Sequence, residues 1–157
     1  MNWPHVHVVV VHLPVLGLPA GMLLALAGRL RRNRDLECAG LVMIVAAALL
    51  GLLAFASGER AERALDATTG LPAAWVEPHE EAAEIARIAL VILAAAAVGT
   101  LLVRRDSAAL PWLVTATAVF GLVAALLVAR AAQLGGRIRH PELRAPPAAA
   151  AVEIDRD

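Results

Sequence analysis

Four long apolar runs, separated by short charged segments, dominate the chain. They extend from about residue 6 to 28, 38 to 57, 82 to 103 and 110 to 132. An α-helix of roughly 20 residues crosses the hydrocarbon core of a bilayer, which is about 30 Å thick. Strands of a membrane β-barrel would be about half as long and would alternate apolar with polar residues. The pattern therefore predicts an all-α fold, a four-helix transmembrane bundle.

The composition indicates one membrane domain followed by a polar tail. Of the 157 residues, 60% are hydrophobic, which exceeds the share of about half that is typical of soluble domains. We expect residues 1–143 to form the membrane domain in a lipid bilayer. Residues 144–157 begin Arg-Ala-Pro-Pro and are typical of a disordered tail.

The charge and cysteine counts exclude several functions. Lys+Arg and Asp+Glu are both 14, so no net charge attracts the chain to nucleic acid. The single cysteine, Cys38, excludes an intrachain disulfide. The sequence contains no zinc signature, no catalytic triad pattern and no glycine-rich phosphate loop. We do not expect an enzyme that acts on its own. Arginine is the only basic residue besides histidine and alanine is abundant, a bias typical of GC-rich bacterial genomes.

Arginines in the short loops predict the orientation. Six of them lie between helices one and two or between helices three and four: Arg29, Arg31, Arg32, Arg34, Arg104 and Arg105. The loop between helices two and three has only Arg60 and Arg63, which are accompanied by acidic residues. The positive-inside rule places the first two loops in the cytoplasm. The chain is then a multi-pass protein of the bacterial inner membrane, with both termini and residues 58–81 outside.

Prolines and small residues predict local features. Pro78 indicates the start of helix three, whereas Pro14 and Pro19 inside helix one predict a kink. Ser57 is interpreted as a helix cap, and Gly135-Gly136 as a turn after helix four. Small residues spaced four apart predict close helix packing; these are Gly17 with Gly21, Ala47 with Gly51, Ala95 with Gly99, and Gly121 with Ala125.

The histidines are the main candidates for chemistry. In the predicted topology all five lie on the outer side: His5, His7, His12, His79 and His140. His12 is about 10 Å into helix one, and an ionisable residue at that depth usually faces the bundle interior. His79 is in the first turn of helix three, where the helix dipole favours a neutral imidazole that can bind a metal or haem iron. His5 and His140 are expected to be exposed.

Charged residues inside the helices allow two interpretations. Glu80, Glu84 and Arg87 are spaced four and three apart and form one helical stripe. The stripe either neutralises itself or supplies a cation to an anionic ligand such as a haem propionate. Arg130, near the end of helix four, either has the same role or extends to the membrane surface.

Four short motifs resemble a known family. The run from His7 to Val15, the segment Gly58-Glu59-Arg60-Ala61-Glu62, the pair His79-Glu80 and the segment 135–138 occur in the order found in the bacterial membrane proteins of domain of unknown function 2231. The resemblance covers about residues 5–140 and implies a four-helix membrane domain. Val8 replaces the family's proline and Leu13 its phenylalanine, so His12 and His79 are the firmest matches. Fusion of some relatives to Rieske-type iron–sulfur domains implies association with redox proteins.

Three functional hypotheses follow. In the first, the chain is a haem-b-binding or otherwise redox-linked subunit. His12 and His79 are the axial ligands, and His7 is a further candidate. Arg87 or Arg130 neutralises the propionates, and a partner protein exchanges electrons.

In the second hypothesis, a divalent transition metal is bound or transported, with ligands drawn from His12, His79, His7, Glu62 and Glu80. In the third, the chain is a structural or assembly subunit without a cofactor. The sequence leaves association with further copies of the chain open.

Overall fold

The computed structural model describes residues 2–69 and 73–140, which form five helices. These are α1 (Trp3–Val10), α2 (His12–Leu30), α3 (Arg34–Thr69), α4 (Ala73–Leu102) and α5 (Leu110–Arg139). Helices α1 and α2 together form the first of four segments that are long and apolar enough to cross a membrane. The predicted all-α, four-helix fold is confirmed. The expected tail, residues 144–157, lies outside the described residues.

The helices form an antiparallel bundle in which each span packs against the next along the chain. Helix α2 contacts α3, α3 contacts α4 and α4 contacts α5, while α5 closes the ring against α2. Helix α1 packs mainly on α3. Since the connections are short, the loops 31–33 and 103–109 lie at one end of the bundle, named here the arginine end. The chain termini lie at the other end, named the histidine end. Which side of the membrane each end faces stays a prediction.

The first span is interrupted at Val11, three residues before Pro14. Proline has no backbone N–H, so the helical hydrogen bond from residue 14 to the carbonyl of Val10 cannot form. Helix α1 ends at Val10, and the N–H of Val11 bonds to the carbonyl of His7 at 3.0 Å. Val11 keeps helical backbone angles, with φ −60° and ψ −26°, so the predicted kink stays a prediction. Pro19 lies inside α2 without interrupting it.

Three boundary predictions are wrong. Helix α4 begins at Ala73, so Pro78 lies inside it and not at its start. Gly135 and Gly136 lie inside α5, which continues to Arg139. Ser57 lies within α3 and is fully buried. At Pro78 and at Gly135-Gly136 the helix includes residues of poor helix propensity, which is a weak tendency that the context of the fold can override.

Small residues bring α2 and α3 into backbone contact. A Cβ added to Gly21 would lie 3.0 Å from the carbonyl oxygen of Gly40, and one added to Gly40 would overlap the backbone of Ala25. Gly17 faces Ala47 in the same interface. The predicted close packing is confirmed here, because dispersion contacts between small residues hold membrane helices together. Gly99 has open space at its Cβ position.

The core is narrow and rich in alanine, while large apolar side chains point outward. Leu18, Leu41, Ile44, Leu93 and Val114 are its largest fully buried apolar residues. Between α4 and α5 the hydroxyls of Thr100 and Thr117 are 3.1 Å apart, and Thr100 also donates to the carbonyl of Ala96. Many leucines on the outer surface are exposed, as a lipid-facing surface requires.

We expect Gly40→Ala to destabilise the bundle by about 1–3 kcal/mol, because the added methyl group must displace the backbone of α2. Gly99→Ala makes the same chemical change where the position is open, so it should be neutral or stabilise by up to about 1 kcal/mol. Unfolding of both variants in the same detergent would measure the difference. Equal effects of the two substitutions would contradict the close packing of α2 and α3.

Candidate functional site

His7 joins α1 to α3 at the histidine end. Its Nδ1 lies 2.9 Å from the backbone carbonyl oxygen of Ala54, and because a carbonyl only accepts, this nitrogen carries the proton. The hydroxyl of Ser57 donates to the same carbonyl at 2.9 Å and lies 3.4 Å from Nδ1. A Cβ at Gly58 would lie 3.0 Å from the ring, so glycine leaves the space that the imidazole occupies.

His79 makes the same arrangement between α4 and α5. Its Nδ1 donates to the carbonyl oxygen of Ala131 at 2.9 Å. A Cβ at Gly135 would lie 2.9 Å from the ring. In both helix pairs the residue whose carbonyl accepts the hydrogen bond lies four residues before the glycine that contacts the ring. Four residues are about one helical turn, so each ring lies along one turn of the helix that it contacts. Each half of the bundle therefore holds one half-buried imidazole against the following helix.

The two imidazoles are presented in the same protonation state. Because each Nδ1–H donates to a carbonyl, the neutral form of each ring has its lone pair on Nε2. No hydrogen bond to either Nε2 is formed within residues 2–69 and 73–140. The site thus pairs two oriented imidazoles whose Nε2 atoms are available.

His12 does not face the bundle interior, contrary to the expectation from its depth. The residue is exposed, and its Nδ1 donates to the carbonyl of Val8 one turn earlier in its own helix. The helical assignment is interrupted at Val11, between His5 and His12. This local bond satisfies one ring nitrogen without a partner from another helix. His5 and His140 are exposed, as expected.

The predicted charged stripe of α4 is in part an ion pair. Arg87 forms a two-point hydrogen-bonded pair with Glu84, and its guanidinium lies over the ring of Phe55 on α3, 5.1 Å from the centroid. Glu59 of α3 adds a further attraction. The charge of Arg87 is thus compensated within the bundle, as polar groups in a membrane require. Glu80 is exposed.

Two further arginines lie at this end. Arg130 is exposed on α5, directly before the residue whose carbonyl accepts from His79. Arg60 of α3 lies over the ring of Trp3, 4.9 Å from its centroid, and donates to the carbonyl of Ala56 at 2.7 Å. The contact holds the start of α1 against α3, which places His7.

The candidate metal ligands are not assembled into one cluster. Within the part of the chain that the structure describes, no group of three or more His, Cys, Asp or Glu side chains is placed to hold a metal ion. His7 is half-buried between α1 and α3, Glu62 is half-buried on α3 and has an interaction of its own, and His12 and Glu80 are exposed. The bonds and the glycine contacts bring His7 and His79 into equivalent positions and leave His12 apart.

The helices and the polar residues at their ends define a class, the multi-pass helical membrane proteins. A family model described as "Predicted membrane protein (DUF2231)" matches residues 4–140. The chain belongs to this family. No curated protein and no solved structure matches it.

Sequence reasoning missed the residues that position the two imidazoles. The sequence indicates Ser57 as a helix cap and Gly135 as part of a turn, and Gly58 only as part of a family motif. All three lie inside helices beneath a histidine. The signal was the position of two glycines. Gly58 on α3 and Gly135 on α5 each lie at the level of the histidine on the preceding span. Recognising it required the pairing of helices, which the sequence pattern alone does not specify.

His7→Ala should destabilise the bundle by roughly 1–3 kcal/mol, since it removes a half-buried ring and its hydrogen bond to another helix. His12→Ala removes only a bond within its own helix, so we expect a change within about 0.5 kcal/mol. His7→Asn keeps an N–H donor near the former Nδ1 and should recover part of the loss. Unfolding in detergent would compare the three, and a larger effect at His12 would contradict the assigned contacts.

Proposed function

We propose that the chain is a redox-linked membrane subunit in which His7 and His79 are the two axial ligands of a b-type haem at the histidine end. This proposal rests on one observation: the Nδ1–H groups of both histidines donate hydrogen bonds to backbone carbonyls of the neighbouring helix. Histidines that bind metals usually donate their other ring N–H in this way, which fixes the tautomer and the orientation of the ring. Both Nε2 atoms then have the lone pair that iron binding needs.

A haem fits these residues better than a bare metal ion does. A structural or catalytic zinc site uses three or four protein ligands, and the described side chains form no such group. A haem needs only one or two axial side chains, because the porphyrin supplies the other ligands. Glycine at both ring contacts lets each imidazole lie directly against the backbone of the next helix. The pair His7 and His79 therefore replaces the pair His12 and His79 in the haem hypothesis.

Charge at the same end suits an anionic group. Arg130 is exposed beside Ala131 and has no carboxylate partner within 4.0 Å in the described chain, so it is available to a propionate. Arg87 already pairs with Glu84 and is less available. A bound haem would supply reversible one-electron transfer near the membrane surface. The only cysteine, Cys38, lies near the arginine end, so a partner redox protein would exchange the electrons.

A structural subunit without a cofactor is the second candidate. The observation favouring it is that each imidazole joins two helices through a hydrogen bond, which is a sufficient reason for a histidine in a membrane bundle. Under this alternative, substitution of His7 or His79 changes stability but no spectrum.

The deciding measurement is the absorption spectrum of the protein, purified in detergent after expression with sufficient haem, in oxidised and dithionite-reduced states. We expect the sharp reduced bands of a six-coordinate b haem. His7→Asn and His79→Asn should each abolish these bands while the protein stays folded, because asparagine keeps the N–H donor but removes the imidazole ligand.

His12→Asn and His5→Asn provide matched controls, since both residues are exposed and neither bonds to another helix. Both should leave the bands unchanged. A colourless wild-type protein would refute the haem proposal. Metal analysis of the same sample would then separate a stoichiometric zinc, copper or nickel site from the structural alternative, in which no metal is retained.

A further inference from the structure

We propose that the arginine end contains a binding site for a phosphate group, between the loop that joins α2 to α3 and the start of α5. A cavity of about 340 Å³ lies there. This volume is at the lower end of the range of about 300–1,000 Å³ that is typical of small-ligand pockets. Its polar lining consists of four arginines, one carboxylate and one hydroxyl: Arg29, Arg32, Arg34, Arg105, Glu37 and Ser107.

The charge of the lining favours an anion. Four guanidinium groups and one carboxylate leave a net charge of +3 on the cavity wall. Arg34 pairs with Glu37 at 2.9 Å. The remaining three, Arg29, Arg32 and Arg105, have no carboxylate within 4.0 Å among residues 2–69 and 73–140. Cations held around one cavity repel each other, and a bound anion removes that repulsion.

Arg34 supplies a second, independent observation. Its side chain is only 17% exposed, and one of its terminal nitrogens donates to Glu37. Its Nε is buried and has no hydrogen-bond acceptor in the described part of the protein. A buried N–H without an acceptor is costly and rare in folded proteins. Because this Nε has no exposed surface, an oxyanion in the cavity would bind Arg34 through the part of its guanidinium that lines the cavity.

The guanidinium groups, and not the free backbone of a helix end, form the site. The side chain of Asn33 accepts hydrogen bonds from the backbone N–H groups of Asp35 and Leu36, and its carbonyl accepts from that of Glu37. The first turn of α3 therefore has few free donors for a ligand. The positive ends of α3 and α5 still add a favourable potential for a negative charge.

Arg32 occupies a backbone position that favours glycine. Its φ is 52°, and the N–H of Asn33 bonds to the carbonyl of Gly28 at 2.8 Å, closing the end of α2. Glycine is the usual residue at this left-handed position because other side chains are strained there. The chain instead places an arginine that lines the cavity. Substitution by glycine thus removes the charge without a cost to the turn.

The chemistry of the site selects a phosphate. Guanidinium groups bind phosphate oxygens through paired N–H donors, and several arginines around one cavity match a group with more than one negative charge. The cavity also lies at the membrane boundary, where Leu110 and Pro111 line it and the neighbouring Trp112 is 77% exposed. Both an anionic phospholipid headgroup and a soluble phosphate or diphosphate carry the required group, and basic pockets between membrane helices are known to bind lipid headgroups.

The test uses the full chain and two kinds of ligand. In detergent, binding of inorganic phosphate and pyrophosphate is measured by calorimetry at constant ionic strength, with chloride as the reference anion. In nanodiscs, retention of diphosphatidylglycerol against phosphatidylcholine is measured by native mass spectrometry. Arg105→Gln and Arg32→Gly should each weaken binding roughly tenfold or more, because each removes charge-assisted hydrogen bonds to the ligand.

Arg31→Gln and Arg104→Gln are the matched controls. Arg31 is exposed in the same loop but does not line the cavity. Arg104 is 85% exposed and its hydrogen bonds to Asp106 lower the pKa of that carboxyl. Both controls should bind as the wild-type protein does.

Each outcome decides the proposal. Binding of pyrophosphate alone, of diphosphatidylglycerol alone or of both, weakened only by the cavity variants, supports the site and identifies the source of the phosphate. Binding of neither, or equal weakening by the controls and the cavity variants, would overturn it. Because Arg32→Gly relieves the backbone of the turn, a loss of binding in this variant cannot be attributed to unfolding.

Discussion

The bilayer gives no water to polar groups, and this constraint determines how each polar residue in the bundle is placed. Thr100 and Thr117 bond to each other across α4 and α5, and Arg87 is compensated by Glu84. His7 and His79 donate to carbonyls of neighbouring helices. Arg87 is neutralised within its own helix, whereas the two threonines and the two histidines form hydrogen bonds that join two helices. For these four residues, the same contact satisfies the polar group and pairs the helices.

The two ends of the bundle differ in their chemistry. At the histidine end, two imidazoles are oriented by backbone carbonyls, and each has one ring nitrogen without a hydrogen bond in the described chain. At the arginine end, three guanidinium groups around a cavity have no carboxylate partner in the described chain, and a fourth has a buried N–H without an acceptor. One end therefore presents electron-pair donors and the other presents hydrogen-bond donors with positive charge. A chain with this polarity is suited to a ligand near one membrane surface and a different ligand near the other.

The equivalence of the two helix pairs connects the fold with the site. In each pair a histidine near the start of the first span lies against a glycine of the second span, four residues after the accepting carbonyl. Glycine is needed there because any Cβ would enter the space of the ring. The contact places both imidazoles at one end, since the pairs are arranged in the same direction through the membrane.

The sequence by itself determined the number of membrane helices, the missing backbone hydrogen bond at Pro14 and the grouping of histidines and arginines at opposite ends. These features follow from the length of apolar runs, from the missing proline N–H and from antiparallel connectivity, all of which are local or topological. The face that each histidine occupies was decided only by the tertiary structure. His12 lies exposed on the outer surface, and Gly135 lies inside α5 beneath His79. The rotation of a helix about its own axis depends on the contacts available from the neighbouring helices. Because apolar residues surround nearly the whole circumference of each helix, the sequence does not specify that rotation.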